Sequence, residues 1–341
     1  RVLKADRPHA TAAKGFDLPG FVLLTTFLVS ALLGLSKGNS EGWTSPYVLT
    51  CALIAAVTLV LFLAVESVVK ERILDLALFR NGQFSVAMVV TGARSVALYG
   101  GSFLLPVFIQ NQMGRSGIDT GLLMLPGAIV IALVMPIAGR IADAIGPKVP
   151  TVVGLALTAW FMWTYRKLDV TTSNWDVVYP TLVRGLGLGL LVTPVMTSAI
   201  NAVPTSKAGM ASSMLSLIQQ VAGSIGIAVL ASVLGHRATF HVAVVGQGLD
   251  ATRPAFTDAT RQVALRALEL GASPANAVLA GRSLVARTIA QAAAVLGFND
   301  AFLVGAAIVL VGIVPALFLA SKAKAAPRVG AGAPEPEPMV E

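Results

Sequence analysis

The stretch DTGLLMLPGAIVIALVMPIA at residues 119–138 decides the fold class, because its only charged residue is the first one. An α-helix rises 1.5 Å per residue, so about 20 apolar residues cross the hydrocarbon core of a bilayer. Polar and apolar residues do not alternate along the stretch, as they would in a strand of a membrane barrel. The stretch is therefore predicted to be a transmembrane helix.

Further apolar stretches of the same kind lie on both sides of it. They occupy residues 18–36, 47–68, 84–110, 149–165, 177–201, 209–235 and 298–320. Backbone amides must be hydrogen-bonded inside lipid, and only helices and closed barrels satisfy all of them. Glycine, proline and polar residues separate the stretches, as in short turns. The sequence predicts an all-α, multi-pass membrane protein with eight transmembrane helices.

Composition excludes a soluble enzyme. Of the 341 residues 55% are hydrophobic and 12% are charged, whereas soluble domains carry about 25% charged residues. So few charges would leave large apolar patches in water. The single cysteine, Cys51, and the three histidines, His9, His236 and His241, form no disulfide framework or metal-ligand pattern. No catalytic residue, metal site or cofactor is predicted.

The distribution of cations predicts the orientation. With eight spans both termini lie on one side, and the segments on that side carry thirteen lysines and arginines. The short gaps on the other side carry four, which are Lys37, Arg115, Arg166 and Lys167. Cytoplasmic loops are enriched in cations, so both termini are predicted to be cytoplasmic, in the cell (inner) membrane. This bias explains the net charge of +8 without nucleic-acid binding.

Two segments are predicted to lie outside the bilayer. Residues 236–297 form a long external segment, helical from about Asp258 and broken near Gly271, that packs on the membrane helices. Residues 322–341 are rich in alanine, proline and glycine and are predicted to be a disordered cytoplasmic tail.

Several short motifs follow one another in a distinctive order. They are DLPGFVL at 17–23, LALFRN at 76–81, LPG at 125–127, GRIADAIGPK at 139–148, RGLGLG at 184–189 and QQVAGSIG at 219–226. Together they resemble the major facilitator superfamily, and within it the fourteen-spanner drug/proton antiporters of the multidrug-resistance type. The decapeptide is the most specific motif and is similar to the cytoplasmic signature G-x-x-x-D-x-x-G-x-[RK]. Its signature residues are Gly139, Arg140, Asp143, Gly146 and Lys148.

The resemblance implies a particular domain organisation. Such proteins have two six-helix bundles joined by two extra helices. Here residues 1–14 would be a cytoplasmic segment, residues 15–83 the two linker helices and residues 84–321 the second bundle. The first bundle, with its proton-coupling acidic residue, is expected upstream, since the chain begins with Arg1 rather than Met. The alternative is a complete eight-span protein.

The signature permits two interpretations. In physical terms Gly139 would let the chain leave a helix in a tight turn, and Asp143 would cap the next helix or pair with Arg140. Gly146 would set the entry into that helix and Lys148 would add a cytoplasmic cation. The site is then a plain turn. The resemblance implies instead a charged latch between bundles that breaks when the transporter changes side.

Four polar residues inside spans are candidates for coupling or for lining a cavity. A lipid-facing Arg94 or Arg184 would cost about 2.5–3.5 kcal/mol on insertion scales, so each is expected to face the interior and to have a partner. Arg184 also resembles the arginine of the superfamily motif R-x-x-x-G-x-G, with a different glycine phase. The alternative for both is snorkelling toward an interface. Gln219 and Gln220 would bond a neighbouring helix or contact a substrate.

Glycines mark close contacts between helices. Gly185, Gly187 and Gly189 form a ridge without side chains, and Gly226 follows Ala222 at a small-xxx-small spacing. Such surfaces let two backbones approach closely. The alternative is a sliding surface between rocking bundles.

The function implied by the resemblance is proton-coupled export of small amphipathic compounds by alternating access. Its partners would be a small-molecule substrate, protons, the lipid bilayer and the missing six-helix bundle. The alternatives are a non-transporting membrane subunit or scaffold, with residues 236–297 as a docking surface, and a nutrient importer of the same superfamily.

Overall fold

The computed structural model describes residues 17–68, 75–248, 254–271 and 273–320, and these ranges contain helices and no strand. The helices are α1 Leu18–Glu41, α2 Pro46–Val68, α3 Gly82–Asn111, α4 Gly117–Ile145, α5 Lys148–Thr164, α6 Asn174–Asn201, α7 Ala208–Gly248, α8 Pro254–Glu269, α9 Pro274–Val311 and α10 Ile313–Ala316. Short 3₁₀ turns lie at Leu76–Arg80, Tyr165–Lys167 and Thr205–Lys207. The predicted segments at 1–14 and 322–341 fall outside the described residues.

Seven of the described helical segments are long and apolar enough to cross a membrane, namely Leu18–Gly38, Pro46–Val68, Gly82–Asn111, Gly117–Ile145, Asn174–Asn201, Thr205–Val245 and Pro274–Ala316. The remaining predicted span, 149–165, corresponds to α5, which has 17 residues and is continued by the turn at Tyr165–Lys167. The predicted all-α, multi-pass membrane architecture is confirmed.

Polar side chains at the gaps determine where several helices begin. Asp17 accepts a hydrogen bond from the Gly20 amide at the start of α1, at 2.9 Å. Ser116 and Asp119 form a reciprocal capping box at the start of α4. Ser173 and Ser273 accept amide hydrogen bonds at the starts of α6 and α9. These caps satisfy amides that a helix start leaves without an intrahelical partner.

The helices form one bundle with a flanking hairpin. The helices α1 and α2 pair with each other, and α1 also packs on α7. In the bundle α3 contacts α6, α7 and α9, while α4 packs along α6 and α5 lies between α6 and α9. Buried rings fill the centre: Phe161 and Tyr165 lie 4.7 Å apart, and Tyr165 lies 5.3 Å from Phe302. The centre is therefore apolar, which makes each buried cation there conspicuous.

The seventh and eighth spans differ from the sequence prediction at their outer ends. The helix α7 continues past residue 235 to Gly248, and with 41 residues it is about 60 Å long. The helix α9 already begins at Pro274 rather than near 298. Hydropathy detects lipid burial and not helix ends, and the alanines and valines after residue 235 continue the helix. The described parts of the segment 236–297 thus belong to the end of α7, the helix α8 with the residues that follow it, and the start of α9.

Hydrogen bonds close the end of the bundle that the charge pattern predicts to be cytoplasmic. Lys207 forms a salt bridge with Asp75, which precedes α3. Asn81 donates from Nδ2 to the Ala202 carbonyl at 2.6 Å. The Gln83 side chain donates to the Phe318 carbonyl at 3.1 Å and accepts from the Ala320 amide at 2.8 Å. The start of α3 is thus hydrogen-bonded both to the segment between α6 and α7 and to the segment that follows α10.

Candidate functional site

Arg94 and Gln219 meet inside the bundle. Arg94 of α3 is only 6% exposed, and its Nη2 donates to Gln219 Oε1 of α7 at 2.8 Å. Gln219 Nε2 in turn lies 3.5 Å from the Tyr99 hydroxyl of α3. The Arg94 side chain therefore points into the bundle instead of snorkelling. The sequence singled out the arginine and the glutamine separately, whereas Tyr99 was missed because a tyrosine in an apolar stretch carries no distinctive signal.

Arg184 is held in the same interior by α3. It is 7% exposed and donates from Nη2 to Ser102 Oγ at 2.5 Å and to the Leu98 carbonyl at 3.2 Å. Its guanidinium carbon also lies 5.5 Å from the centre of the Phe161 ring. Leu98 and Ser102 follow Arg94 on α3 by about one and two turns. The helix α3 thus carries Arg94 and also supplies the hydrogen-bond acceptors of Arg184.

Neither cation has an acidic partner within the described ranges. The sequences of α3, α5 and α7 contain no aspartate or glutamate. In α4 and α6 the acidic residues Asp119, Asp143 and Asp176 lie in the first or last turn. The Nε atoms of Arg94 and Arg184 are buried and make no hydrogen bond in the part of the chain that the structure describes. Two guanidinium groups therefore keep unused donors in an apolar interior.

The two adjacent glutamines point in different directions. Gln219 is half-buried and bonded to Arg94, whereas Gln220 is exposed on the outside of α7. Ser213 and Ser216 are exposed as well and precede Gln220 by seven and four residues, so the three lie on one helix face. The two serine hydroxyls donate to the Gly209 and Ser212 carbonyls of their own helix, at 3.2 and 3.1 Å, whereas lipid provides no hydrogen bond for the Gln220 amide. This face of α7 is suited to contact with water or with another polar protein surface.

The cytoplasmic signature is arranged differently from the prediction. The helix α4 does not end at Gly139 but continues to Ile145, and the chain turns at Gly146, which has φ of 91°. A residue with a side chain rarely adopts this conformation, which explains a glycine at that position. The residue Gly139 instead lies against α6, where a Cβ atom would be 3.3 Å from Thr193 Cγ2. Its expected role in the turn is therefore wrong.

The expected pairings of Asp143 are also absent from the described structure. Asp143 lies in the last turn of α4, is exposed, and forms no ion pair with Arg140. It does not cap α5, whose N-cap is Pro147 without a side-chain hydrogen bond. Because α4 continues through residue 145, the carboxylate lies before the turn instead of after it. Lys148 begins α5 on the other side of the turn.

The glycine ridge of α6 faces helices of the same bundle. A Cβ atom on Gly185 would lie 2.5 Å from the Gly127 carbonyl oxygen of α4, and one on Gly189 would lie 2.7 Å from Val134 Cβ. The corresponding distances are 2.6 Å from Gly187 to Thr158 Oγ1 of α5 and 2.8 Å from Gly226 to Val96 Cα of α3. These distances favour close packing inside one bundle over a sliding surface between two.

A charged cluster that sequence analysis missed joins the C-terminal part of α7 to α9. Asp300 Oδ2 lies 2.5 Å from Arg237 Nε and 2.8 Å from His241 Nε2. Arg237 and His241 are four residues apart on one helix face. Their carboxylate partner is about 60 residues further along the chain, so no local pattern indicates it.

Comparison with known proteins identifies the family. Residues 7–227 match the sequence profile of the Major Facilitator Superfamily. The chain belongs to the Major Facilitator Superfamily. It is an integral, multi-pass membrane protein of a transporter family and not an enzyme.

Several curated proteins are similar to this chain. The uncharacterized MFS-type transporter YhcA of Bacillus subtilis is 31% identical over 304 residues, which cover 89% of the chain and 57% of the relative. The multidrug resistance protein Stp of Mycobacterium tuberculosis is 33% identical over 222 residues, or 65% of the chain and 41% of the relative. The tetracenomycin C resistance and export protein of Streptomyces glaucescens is 30% identical over 329 residues, or 93% and 59%. The chain thus spans about half the length of the curated relatives it matches.

Proposed function

We propose that this chain is the C-terminal portion of a proton-coupled exporter of small amphipathic compounds. In this proposal α1 and α2 are the linker helices of a fourteen-helix protein, and α3 to α7 with α9 form its second six-helix bundle. The protein lies in the inner membrane with both termini in the cytoplasm. Relatives named for multidrug resistance and for tetracenomycin C export support this substrate class.

The observation that carries the proposal is the pair of arginines, Arg94 and Arg184, held inside an apolar bundle. Ionisable residues at this depth are costly, and they usually mark substrate or ion pathways. A scaffold that only spans the membrane would be more stable with apolar residues at both positions. Two buried cations, one carried by α3 and the other hydrogen-bonded to α3, therefore favour a transport pathway over a docking function.

Alternating access requires a second helical bundle that faces this one across a cavity. The exposed polar face of α7, with Ser213, Ser216 and Gln220, is the surface that would line the cavity. In the proposal the first bundle closes the cavity and supplies the acidic residue whose protonation biases the inward or outward state. Apart from Asp300 of α9, which is paired with Arg237 and His241, the described ranges place no acidic residue in the middle of α3 to α7 or α9. This agrees with a coupling carboxylate that lies in the first bundle.

The cytoplasmic signature would act between bundles and not within this one. Asp143 lies at the C-terminal end of α4 and Lys148 at the N-terminal end of α5, where each charge opposes the helix dipole. Both charges therefore cost stability locally. In the proposal both charges pair with groups outside this bundle. Such pairs would form a latch that is made in one conformation and broken in the other.

Ethidium accumulation in intact cells tests the proposal. Three strains are compared: one expressing the protein encoded by the complete reading frame, one expressing residues 1–341 alone, and one carrying the empty vector. We expect energy-dependent extrusion with the complete protein, abolished by a protonophore. We expect the second strain to insert the chain but to accumulate ethidium like the vector control. Efflux by residues 1–341 alone, above the control, would contradict the two-bundle account.

A further inference from the structure

Arg94 has more hydrogen-bonding capacity than the bundle uses. A guanidinium offers five N–H donors in a planar fork, yet in the described part of the chain Arg94 makes one hydrogen bond, from Nη2 to Gln219. Its Nε is buried without a partner. An unpaired buried donor costs about 1–3 kcal/mol, and more when the group is charged. The side chain is therefore prepared for a further acceptor.

Gln219 orients the guanidinium without neutralising it. The glutamine is an uncharged acceptor, so the positive charge remains uncompensated in the described ranges. Its other contact, to the Tyr99 hydroxyl, restrains the amide so that Oε1 stays toward Arg94. Arg184 differs in this respect, because it donates to two oxygen atoms and also lies against the Phe161 ring. Arg94 is consequently the less satisfied of the two cations.

We propose that Arg94, positioned by Gln219, binds a carboxylate in the middle of the bundle. A carboxylate matches the guanidinium fork in shape and charge, and such pairs are about twice as strong as neutral hydrogen bonds. The carboxylate comes from an anionic amphipathic ligand or from another part of the complete protein. This inference adds to the proposed function the chemical class of the group that the bundle binds. It rests on the proposed function only where it places Arg94 in a transport cavity.

Melting temperatures of the detergent-purified complete protein provide the test, with benzoate as the probe and benzamide as its neutral isostere. For a free ligand we expect benzoate to raise the melting temperature of the wild type by about 2–4 °C and benzamide to have no effect. Arg94→Gln should lose the benzoate shift, and Arg94→Lys should keep part of it because the charge remains. Arg115→Gln, which removes an exposed cation bonded to Asn174, should behave like the wild type.

For a carboxylate within the protein the expected pattern differs. Benzoate then produces no shift, but Arg94→Gln melts below the wild type at pH 7, and the two converge only below about pH 4, because a carboxylate paired with an arginine protonates less readily than a free one. Arg115→Gln shows no such convergence. The proposal is overturned if benzoate shifts wild type and Arg94→Gln equally, or if benzoate has no effect and the difference between the two proteins is independent of pH. Because binding and melting are measured without transport, a failed efflux assay leaves this result interpretable.

Discussion

Arg184 of α6 donates a hydrogen bond to Ser102 Oγ of α3 at 2.5 Å, and this contact joins two helices through a buried cation. The same Nη2 atom reaches the Leu98 carbonyl at 3.2 Å. One nitrogen of the guanidinium thus donates to two oxygen atoms that belong to residues one helical turn apart. Removing the side chain would leave both oxygens without this donor and would leave a cavity beside Phe161.

We expect Arg184→Ala in the complete protein to lower substrate-induced proton flux by at least about tenfold, corresponding to 1.4 kcal/mol. Arg184→Lys should retain part of the flux, because it keeps the charge but loses the planar guanidinium that also lies against the Phe161 ring. Flux is compared at matched expression. If the alanine variant transports at the wild-type rate, Arg184 is not part of the coupling machinery.

Gln219 and Gln220 form a matched pair for stability measurements. Gln219→Leu should lower the free energy of unfolding by about 1–3 kcal/mol, because Arg94 loses its hydrogen bond and stays buried. Gln220→Leu should not lower it, because this side chain is exposed on α7. Thermal denaturation in one detergent compares the two. Equal losses for both variants would show that Arg94 does not depend on Gln219.

Alanine substitutions at Gly185 of α6 and Gly121 of α4 are expected to have opposite effects on stability. Gly185→Ala should destabilise the bundle by about 1–3 kcal/mol, because the new Cβ atom would lie 2.5 Å from the backbone oxygen of Gly127. Gly121→Ala in α4 meets no atom within 4 Å and should be neutral or stabilise the helix by about 0.5–1 kcal/mol. Melting curves of the two variants check this. A Gly185→Ala protein as stable as wild type would argue against tight α4–α6 packing.

Asp143→Asn should separate stability from transport. We expect no loss of melting temperature, since the carboxylate is exposed and lies at the helix end that disfavours negative charge. We expect reduced dye efflux by the complete protein, because the proposed latch between bundles loses its anion. Insertion is checked by membrane fractionation. Normal efflux at equal expression would contradict the latch and leave the site as a plain turn.

Sequence patterns predicted the membrane helices well because hydropathy reports burial in lipid directly. They did not predict how far α7 extends, since a helix leaving the bilayer ends at a local breaker and not at a drop in hydropathy. They placed Gly139 in a turn because glycines in helices and in turns look alike in one sequence.

Partnerships across the bundle were beyond local patterns. Arg94 and Gln219 are separated by 125 residues and Arg184 and Ser102 by 82. Polar residues in apolar stretches could be recognised as candidates one at a time, because their burial is costly. Which of them meet depends on helix packing, and the cluster of Arg237, His241 and Asp300 was missed for the same reason.

Drug-induced proton release from everted membrane vesicles tests the central claim most directly. Vesicles containing the complete protein are acidified inside by respiration, and the pH gradient is followed with acridine orange while ethidium or another cationic drug is added. The account predicts a drug-dependent loss of the gradient in these vesicles, and none in vesicles with residues 1–341 alone. With Arg184→Ala the loss should be at least about tenfold slower. A gradient that stays unchanged for every drug tested, with the folded complete protein present, would contradict proton-coupled export.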